Sequence, residues 1–339
     1  MTPKATILVI VNQRLKYLPD ALKSATRQTI SRDHYEIVLA AGSPLDVLEL
    51  RQGRDYDRLI QIDSEQKAGL LVHALPQCET DIVSFLDDDD MFAPQKLERV
   101  LEIFGQNPTA SFSHNAHIAC GPNSRAPALD VSSRSSSERL FVPPYDTKLI
   151  RELLHVDSDY NLSSISIRKT CFLDSLKELG TLEGSDDTFF FYKAVESRKP
   201  IVSDSAYLTW YRHHPDSATH YSGTWEPFYR RMSTKAATDV RSHEQLCSRI
   251  LNPDLREIAN YRLSHYRLRL LEFGGSSQGS DRAELQADAL KWSMMAGNHP
   301  PRTVGVIQAM IGAWFPGLIA RMVYVFATMS SAKYARTTS

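Results

Sequence analysis

The chain is short of cysteine, of net charge and of several familiar catalytic signatures. Its 339 residues include four cysteines, Cys78, Cys120, Cys171 and Cys247, scattered without metal-ligand spacing. They read as reduced thiols, which argues against a disulfide scaffold and for a cytoplasmic location. The formal net charge is -1, so nothing draws the whole chain to nucleic acid or anionic lipid, and no nucleic-acid partner is expected. The N-terminus lacks the charged, apolar and small-residue regions of a signal peptide. There is no P-loop and no G-x-G-x-x-G. Neither G-x-S-x-G nor a Cys-His framework marks a covalent nucleophile. A bound phosphate would therefore depend on a metal and on basic side chains, with Lys67 in EQKAG and Arg212 as candidates. Internal repeats and long low-complexity segments are missing too.

What is present is a series of short apolar runs. ATILVIV (Ala5 to Val11), YEIVLA (Tyr35 to Ala40), RLIQI (Arg58 to Ile62) and IVSFL (Ile82 to Leu86) are too short for helices and rich in β-branched residues, as buried strands are. LPDALKSATRQ, with Leu18, Leu22 and Ala25 on one face, and Gly69 to Leu75 predict helices between them. This alternation predicts an α/β fold with a mostly parallel, Rossmann-like central sheet flanked by helices and joined by right-handed crossovers. Further on, Gln95 to Phe104 predicts a helix, Ser111 to Ala119 a strand and Lys148 to Leu154 a helix. Ser163 to Ile167 predicts a strand, and a helix is expected from Arg168 through Leu179. TFFFYKAVESR predicts another helix, with late strands at Ile201 to Ser203 and Tyr207 to Tyr211. The segment from Gly121 to Glu138, rich in Ser, Pro and Arg, reads as a loop.

Beyond this α/β part, assigned to residues 1–222, the pattern turns helical over 223–300. Phe228 to Leu251, Pro253 to Phe273 and Asp281 to Ala296 have helical spacing, broken by the linker GGSSQGS. The last segment, 301–339, is apolar and basic. Its stretch from Val304 to Met329 is long enough to raise a membrane span, but Pro316 and Arg321 interrupt it. It reads either as amphipathic helices lying in a membrane interface, a peripheral contact, or as a buried helical hairpin or dimer contact.

Chemistry concentrates at two acidic turns. The strand at Ile82 to Leu86 ends in Asp87, Asp88, Asp89 and Asp90. Four adjacent carboxylates repel one another unless a cation sits among them, and hard cations such as Mg²⁺ and Mn²⁺ prefer such oxygens. Ligands in open α/β sheets bind beyond the carboxyl ends of strands. The competing reading is a solvated turn capping the next helix. The second turn, Asp186–Asp187, opens a helix and is by itself an ordinary N-cap pattern. If the two turns converge, one can hold a cation against a diphosphate leaving group while the other takes a proton from an incoming hydroxyl. His213–His214 is a weak signal alone. His114 and His117 share a strand face and read as structural or substrate-facing.

Taken together, these pieces resemble the family 2 glycosyltransferases, which have the GT-A fold. The resemblance rests on ILVIVNQRLKYLPDALKSATRQT, FLDDDDMFAPQKLE, NLSSISIRKTCF, GSDDTFFFYKA and YRHHPDSAT, in the family's order over residues 5 to about 220. It implies a GT-A domain with a C-terminal helical extension, a nucleotide-diphosphate sugar donor, a glycan or lipid-linked acceptor, inversion by direct displacement, and Mn²⁺ or Mg²⁺ as cofactor. It assigns Asp89, Asp87 and His214 to the metal, and Asp87 and Asp88 to the donor. Asp187 would be the base, with Asp186 the second choice. Two departures stand out. Where the family shows Asp-Asp-Gly-Ser, this chain has Ala40-Ala41-Gly42-Ser43, so either the nucleotide is held by Asn12, Asp63 or backbone groups, or donor binding is weakened. Asp186 replaces the usual Glu. A degenerate domain that binds without catalysing is the alternative these departures keep open.

Overall fold

The computed structural model describes residues 4–12, 15–42, 55–124, 137–214, 224–274, 287, 315 and 317–325. Ser43, Pro44, most of the loop after Gly121, the Pro-x-Ser of YRHHPDSAT, the GGSSQGS linker, the helix expected from Asp281 to Ala296 and most of Val304 to Met329 lie outside them. The chain forms two compact units. One holds Met1–Leu182 and Asp186–Arg212, and the other Glu183–Ser185 and His213–Ser339.

The first unit is built on a nine-stranded sheet. β1 (Ala5–Val11) is buried along its whole length. It lies parallel between β2 (Tyr35–Gly42) and β4 (Ile82–Asp87), and β3 (Arg58–Ile62) extends the parallel set beyond β2. Strands covered on both faces need apolar side chains at successive positions, which is why these runs do not alternate. α1 (Leu18–Thr26) and α3 (Lys96–Gln106) put Leu18, Ala21, Leu22, Leu97, Val100 and Ile103 into the core beside β1 and β2. Between them in sequence, α2 (Lys67–Ala74) follows β3. It starts two residues earlier than the apolar pattern indicated, because its first turn carries the polar Lys67.

The other half of the sheet mixes directions. β8 (Ile165–Arg168) runs antiparallel to β4, β6 (Phe112–Cys120) antiparallel to β8, and β9 (Ile201–Arg212) parallel to β6. β5 (Met91–Phe92) and β7 (Glu138–Phe141) pair with β9, and neither was expected from the sequence. Two residues carry too little pattern to read as a strand, and β7 displays Arg139 and Leu140 to solvent rather than an apolar face. α4 (Thr147–His155) carries a side-chain cap from Asp146.

Three expectations change here. The strand expected from Ser163 begins only at Ile165, since Leu162–Ser164 is a 3-10 turn. Asn161 sits at φ 65, and its side chain accepts from the Ser163 N–H at 3.1 Å, which bends the chain. The helix expected from Arg168 through Leu179 is instead two 3-10 turns, Lys169–Cys171 and Leu173–Ser175, and a single helical turn, α5 (Leu176–Leu179). Asp81 holds its start, the side chain accepting from the Thr170 N–H and the carbonyl from the Lys169 N–H. The two late strands are one, β9, with register shifts against β6 around Ala116 that absorb the extra residues. α6 (Asp186–Glu196) completes this unit.

The second unit contains α7 (Trp225–Arg249) and α8 (Pro253–Glu272), the latter capped by Asn252. Residues 317–325 are helical and place Ala320 against Phe228 and Phe273, with Arg321 over the Trp225 ring at 3.9 Å. No helix among the described residues is long and apolar enough to cross a membrane.

Candidate active site

The site forms where β4 and β8 part. Their pairing ends at Ser84↔Ser166, and the rest of β4 runs on to Asp87 paired on its β1 side only. The 3-10 turn before β8 fills the gap, with the Ser163 hydroxyl accepting from the Asp87 N–H at 3.0 Å.

The four aspartates then divide in role. Asp88 is buried, and its Oδ2 accepts from the Asn12 N–H at 2.9 Å, tying the turn to the end of β1. Asp90 is also buried, and its Oδ1 accepts from the Arg212 N–H at 2.9 Å. Oxygens of Asp87, Asp89 and Asp90 all lie within 4.8 Å of one another. Asp90 Oδ2 is buried without a hydrogen-bond partner. Burial, with Asp89 and Asp87 adding repulsion, raises the Asp90 pKa well above the usual carboxylate range. Three hard oxygens, one buried and unpartnered, suit a divalent cation. Asp90 was passed over at the sequence level because alternate-aspartate spacing favours Asp87 and Asp89. The turn instead brings Asp90 into the cluster and takes Asp88 out of it.

Lys67 faces this cluster from α2. A tight turn puts it there: a Cβ on Gly42, at the end of β2, would come within 2.6 Å of the Ser64 carbonyl oxygen. The Lys67 ammonium lies 2.6 Å from Asp87 Oδ1 and 2.8 Å from Oδ2. Burial opposes its charge, but attraction to Asp87, and after it to Asp186 and Asp187, outweighs burial and raises its pKa. Both acidic turns therefore act on one cation within one unit.

The second turn begins α6. Asp186 is buried and its Oδ1 has no hydrogen-bond partner. Burial pushes its pKa up to about 6, with Lys67 opposing and Asp187 and Asp87 adding. Asp187 accepts from the Thr188 N–H at 2.8 Å and from the Asn161 N–H at 3.1 Å. Its pKa is raised by burial, against the pull of those amides.

The other residues singled out from the sequence fall in different places. Asn12 ends β1 with a buried, unpartnered Oδ1. Asp63 is exposed just past β3. Arg212 is 1% exposed. Its guanidinium donates to the carbonyls of Asp89, Pro122 and Ser124 and to Asp20, and it lies over Tyr17. Those contacts buttress the aspartate turn from behind. His214 is buried and is the second residue after the chain returns to the second unit at His213. Ala40 and Ala41, where the resemblance expects carboxylates, are fully buried between β1 and β3.

Sequence reasoning also missed Lys96, which is fully buried. Its ammonium donates to Asn115 Oδ1 and, at 3.1 Å, to the Ser163 carbonyl, which also accepts from Thr209 Oγ1 at 3.0 Å. Burial lowers its pKa to about 7. One signal was available: Lys96 lies on the same helical face as Val100 and Ile103, where a solvated lysine does not belong.

Residues 6–159 match the model of the family described as glycosyl transferase family 2. An uncharacterized glycosyltransferase of Haemophilus influenzae is 29% identical over 113 residues, 32% of this chain and 37% of that one. The chain thus spans little more than a third of that relative's length. Among solved structures, TarS 1-349 of S. aureus in complex with UDP-GlcNAc aligns with a TM-score of 0.52 at 15% identity, over 97% of this chain and 92% of that one. The mannosyltransferase PcManGT of Pyrobaculum calidifontis, in complex with GDP-Man and Mn2+, aligns at 0.54 and 13% identity, over 99% and 88%. At these identities the structural likeness is one of fold.

Proposed function

Taking residues 6–159 as a family 2 glycosyltransferase domain on the GT-A fold, we propose that the chain transfers a sugar from a nucleotide-diphosphate donor to an acceptor hydroxyl with inversion. The observation that carries this reading is the shared ammonium of Lys67, toward which both acidic turns converge. The sheet order β3-β2-β1-β4 places a topological switch beside β1 and β4. Nucleotides bind at such points, beyond the carboxyl ends of the strands. Asn12 Oδ1 stands there as an unused acceptor, and Asp63 as an exposed carboxylate.

Asp87, Asp89 and Asp90 would hold Mn²⁺ or Mg²⁺, which when bound supplies positive charge against the diphosphate leaving group. Lys67 holds Asp87 in place and adds a second positive charge. Asp187 is oriented by two backbone amides and accepts the proton of the acceptor hydroxyl. As that oxygen bonds to the anomeric carbon, the bond from the carbon to the diphosphate breaks on the opposite face. A single displacement needs one base and no covalent nucleophile.

Ala40 and Ala41 favour the second reading, a domain that binds without transferring. Their fully buried positions leave no carboxylate to meet a ribose from β2. Product analysis with a panel of sugar nucleotides, comparing wild type with Asp89→Ala and Asp187→Asn, separates the two. Transfer by wild type that is lost in both folded variants supports the enzyme. Nucleotide binding by calorimetry without any transfer supports the binding domain. We also propose a cytoplasmic enzyme with a peripheral membrane contact through residues 304–329, toward a glycan or lipid-linked acceptor. Phe315, Leu318, Met322 and Val325 are exposed there at helical spacing. Vesicle flotation that is unchanged after deleting Val304 to Ser339 would rule the contact out.

A further inference from the structure

Beside the two acidic turns lies an aromatic cluster that the chemistry above leaves unused. The rings of Tyr160, His117 and Tyr211 stand 5.4 to 5.8 Å apart, centroid to centroid, with Tyr211 packed edge-on against both Tyr160 and His117 (70° and 75°) and the Tyr160 and His117 rings tilted by 43°. Tyr160 is 38% exposed, and the other two are half-buried. Their backbone attachments explain where the cluster sits. Tyr160 directly precedes Asn161, whose N–H donates to Asp187. Tyr211 directly precedes Arg212, whose N–H donates to Asp90. The cluster therefore spans from the base corner to the metal corner.

The Tyr160 segment is held firmly. Asp157 and Asn161, either side of it, both adopt positive φ, 54 and 65, a conformation that Asp and Asn tolerate better than most residues. The Tyr160 carbonyl is 3.0 Å from Nε2 of the buried His114. Burial depresses the His114 pKa to about 3 and lowers that of His117, so both imidazoles are neutral near pH 7. His114 then donates to Tyr160 from Nε2, and its Nδ1 is left as a buried acceptor with no partner. His114, His117, Asp157 and Tyr207 line a cavity of about 370 Å³.

The position distinguishes acceptor from donor. The nucleotide crevice lies at β1 and β4, whereas Tyr211 and His117 stand on β9 and β6, on the other side of β4. An uncharged aromatic surface beside a proton-accepting carboxylate suits a ring that is apolar on one face and hydroxylated at its rim. A pyranose has that form, and aromatic side chains give sites both contact area and orientation.

We infer that the exposed ring of Tyr160, held in place by His117 and by the edge-on Tyr211, forms a stacking platform for a pyranose ring of the acceptor, and that the acceptor continues into the cavity at His114 and Asp157. This rests on the transfer reading above. The acceptor is thus engaged through its sugar rather than through a lipid tail.

Saturation-transfer NMR tests the platform with methyl β-D-glucopyranoside, methyl β-D-N-acetylglucosaminide, cellobiose and octyl β-D-glucopyranoside. Calorimetry with UDP and GDP in Mn²⁺ runs alongside on the same proteins. Wild type should saturate the ring protons of at least one glycoside. Tyr160→Ala and Tyr211→Ala should cut that signal by about two- to tenfold, the effect of losing one aromatic contact, and Tyr160→Phe should retain most of it. Nucleotide affinity should change less than twofold. The proposal is overturned if no glycoside is saturated, if Tyr160→Ala leaves the signal intact, or if only the octyl chain is saturated. Lost nucleotide binding in the tyrosine variants overturns it as well, by placing the rings on the donor side. Wild type that binds glycoside but neither nucleotide defeats the transfer reading and leaves the platform standing.

Discussion

The two halves of the sheet are built by different rules. In β3-β2-β1-β4 the strands are parallel and most side chains of β1, β2 and β4 fill the core, with the buried Thr6 donating to Glu36 as an exception. The candidate site begins only where β4 stops, at the aspartates. In β8-β6-β9 the strand interiors are polar. Ser166 shares a hydrogen bond at 2.8 Å with Ser84 across the seam to β4, and Asn115, Thr209 and Lys96 form a buried network around the Ser163 carbonyl. The first half positions chemistry by ending, whereas the second does so by spending core volume on hydrogen bonds. Such networks hold one geometry well when fully satisfied and are costly when broken.

The largest effects should come from the two corners themselves. Asp89→Ala and Asp187→Asn should each reduce kcat/KM about 10²–10⁴-fold, the range for loss of a charge-stabilising or proton-accepting group, with the circular-dichroism spectrum unchanged. Equal loss in both would show that the two halves serve one step. Retained activity in Asp187→Asn would place the proton acceptor elsewhere, with Asp186 the next candidate. EDTA should likewise abolish transfer, and added Mn²⁺ or Mg²⁺ should restore it. Transfer that persists in EDTA would remove the cation from the aspartate turn.

A smaller effect separates the halves by stability. Lys96→Met leaves Asn115 Oδ1 without its partner and should cost about 1–3 kcal/mol, read as a Tm lower by about 2–4 °C per kcal/mol. Its pH signature is more specific. Folded Lys96 loses its proton near pH 7, whereas the unfolded chain keeps it to about 10.5. The unfolded state therefore binds more protons between those values, and this group's contribution to stability rises with pH across that window. Lys96→Met should remove that rise, and urea titrations at pH 7 and pH 9.5 measure it.

The mildest prediction concerns pH and rate. Asp186 ionises near pH 6 and Asp187 above its usual range. The acid limb of kcat/KM should therefore set in above the ordinary carboxylate range, falling by about tenfold per pH unit below the raised Asp187 pKa. The sign for stability is the opposite of that for Lys96. Protonated Asp186 favours the fold at low pH, and that contribution fades as pH rises from 3.8 to about 6. Asp186→Asn should flatten it.

The first half was legible because burial on both faces leaves a local mark, a short apolar run closed by polar residues. The second half was misread where a distant partner governs the backbone. Ser163 looks like an alternating strand, yet Asn161 and the Asp87 amide draw it into a turn. Arg168 to Leu179 has helical composition, but Asp81 captures its first amides.

The residues in order determined the strands that end in acid, the two carboxylate turns and the helices that follow them, since each depends on side chains a few positions apart. Tertiary structure alone decided that Asp90 joins Asp87 and Asp89 while Asp88 anchors to Asn12. It also decided that Arg212 is spent on buried carbonyls, and that Tyr160 meets Tyr211 beside Asp187. Those outcomes turn on which charge meets which across long chain separations. In a low-dielectric interior, such pairing is set by the register of strands that no local pattern records.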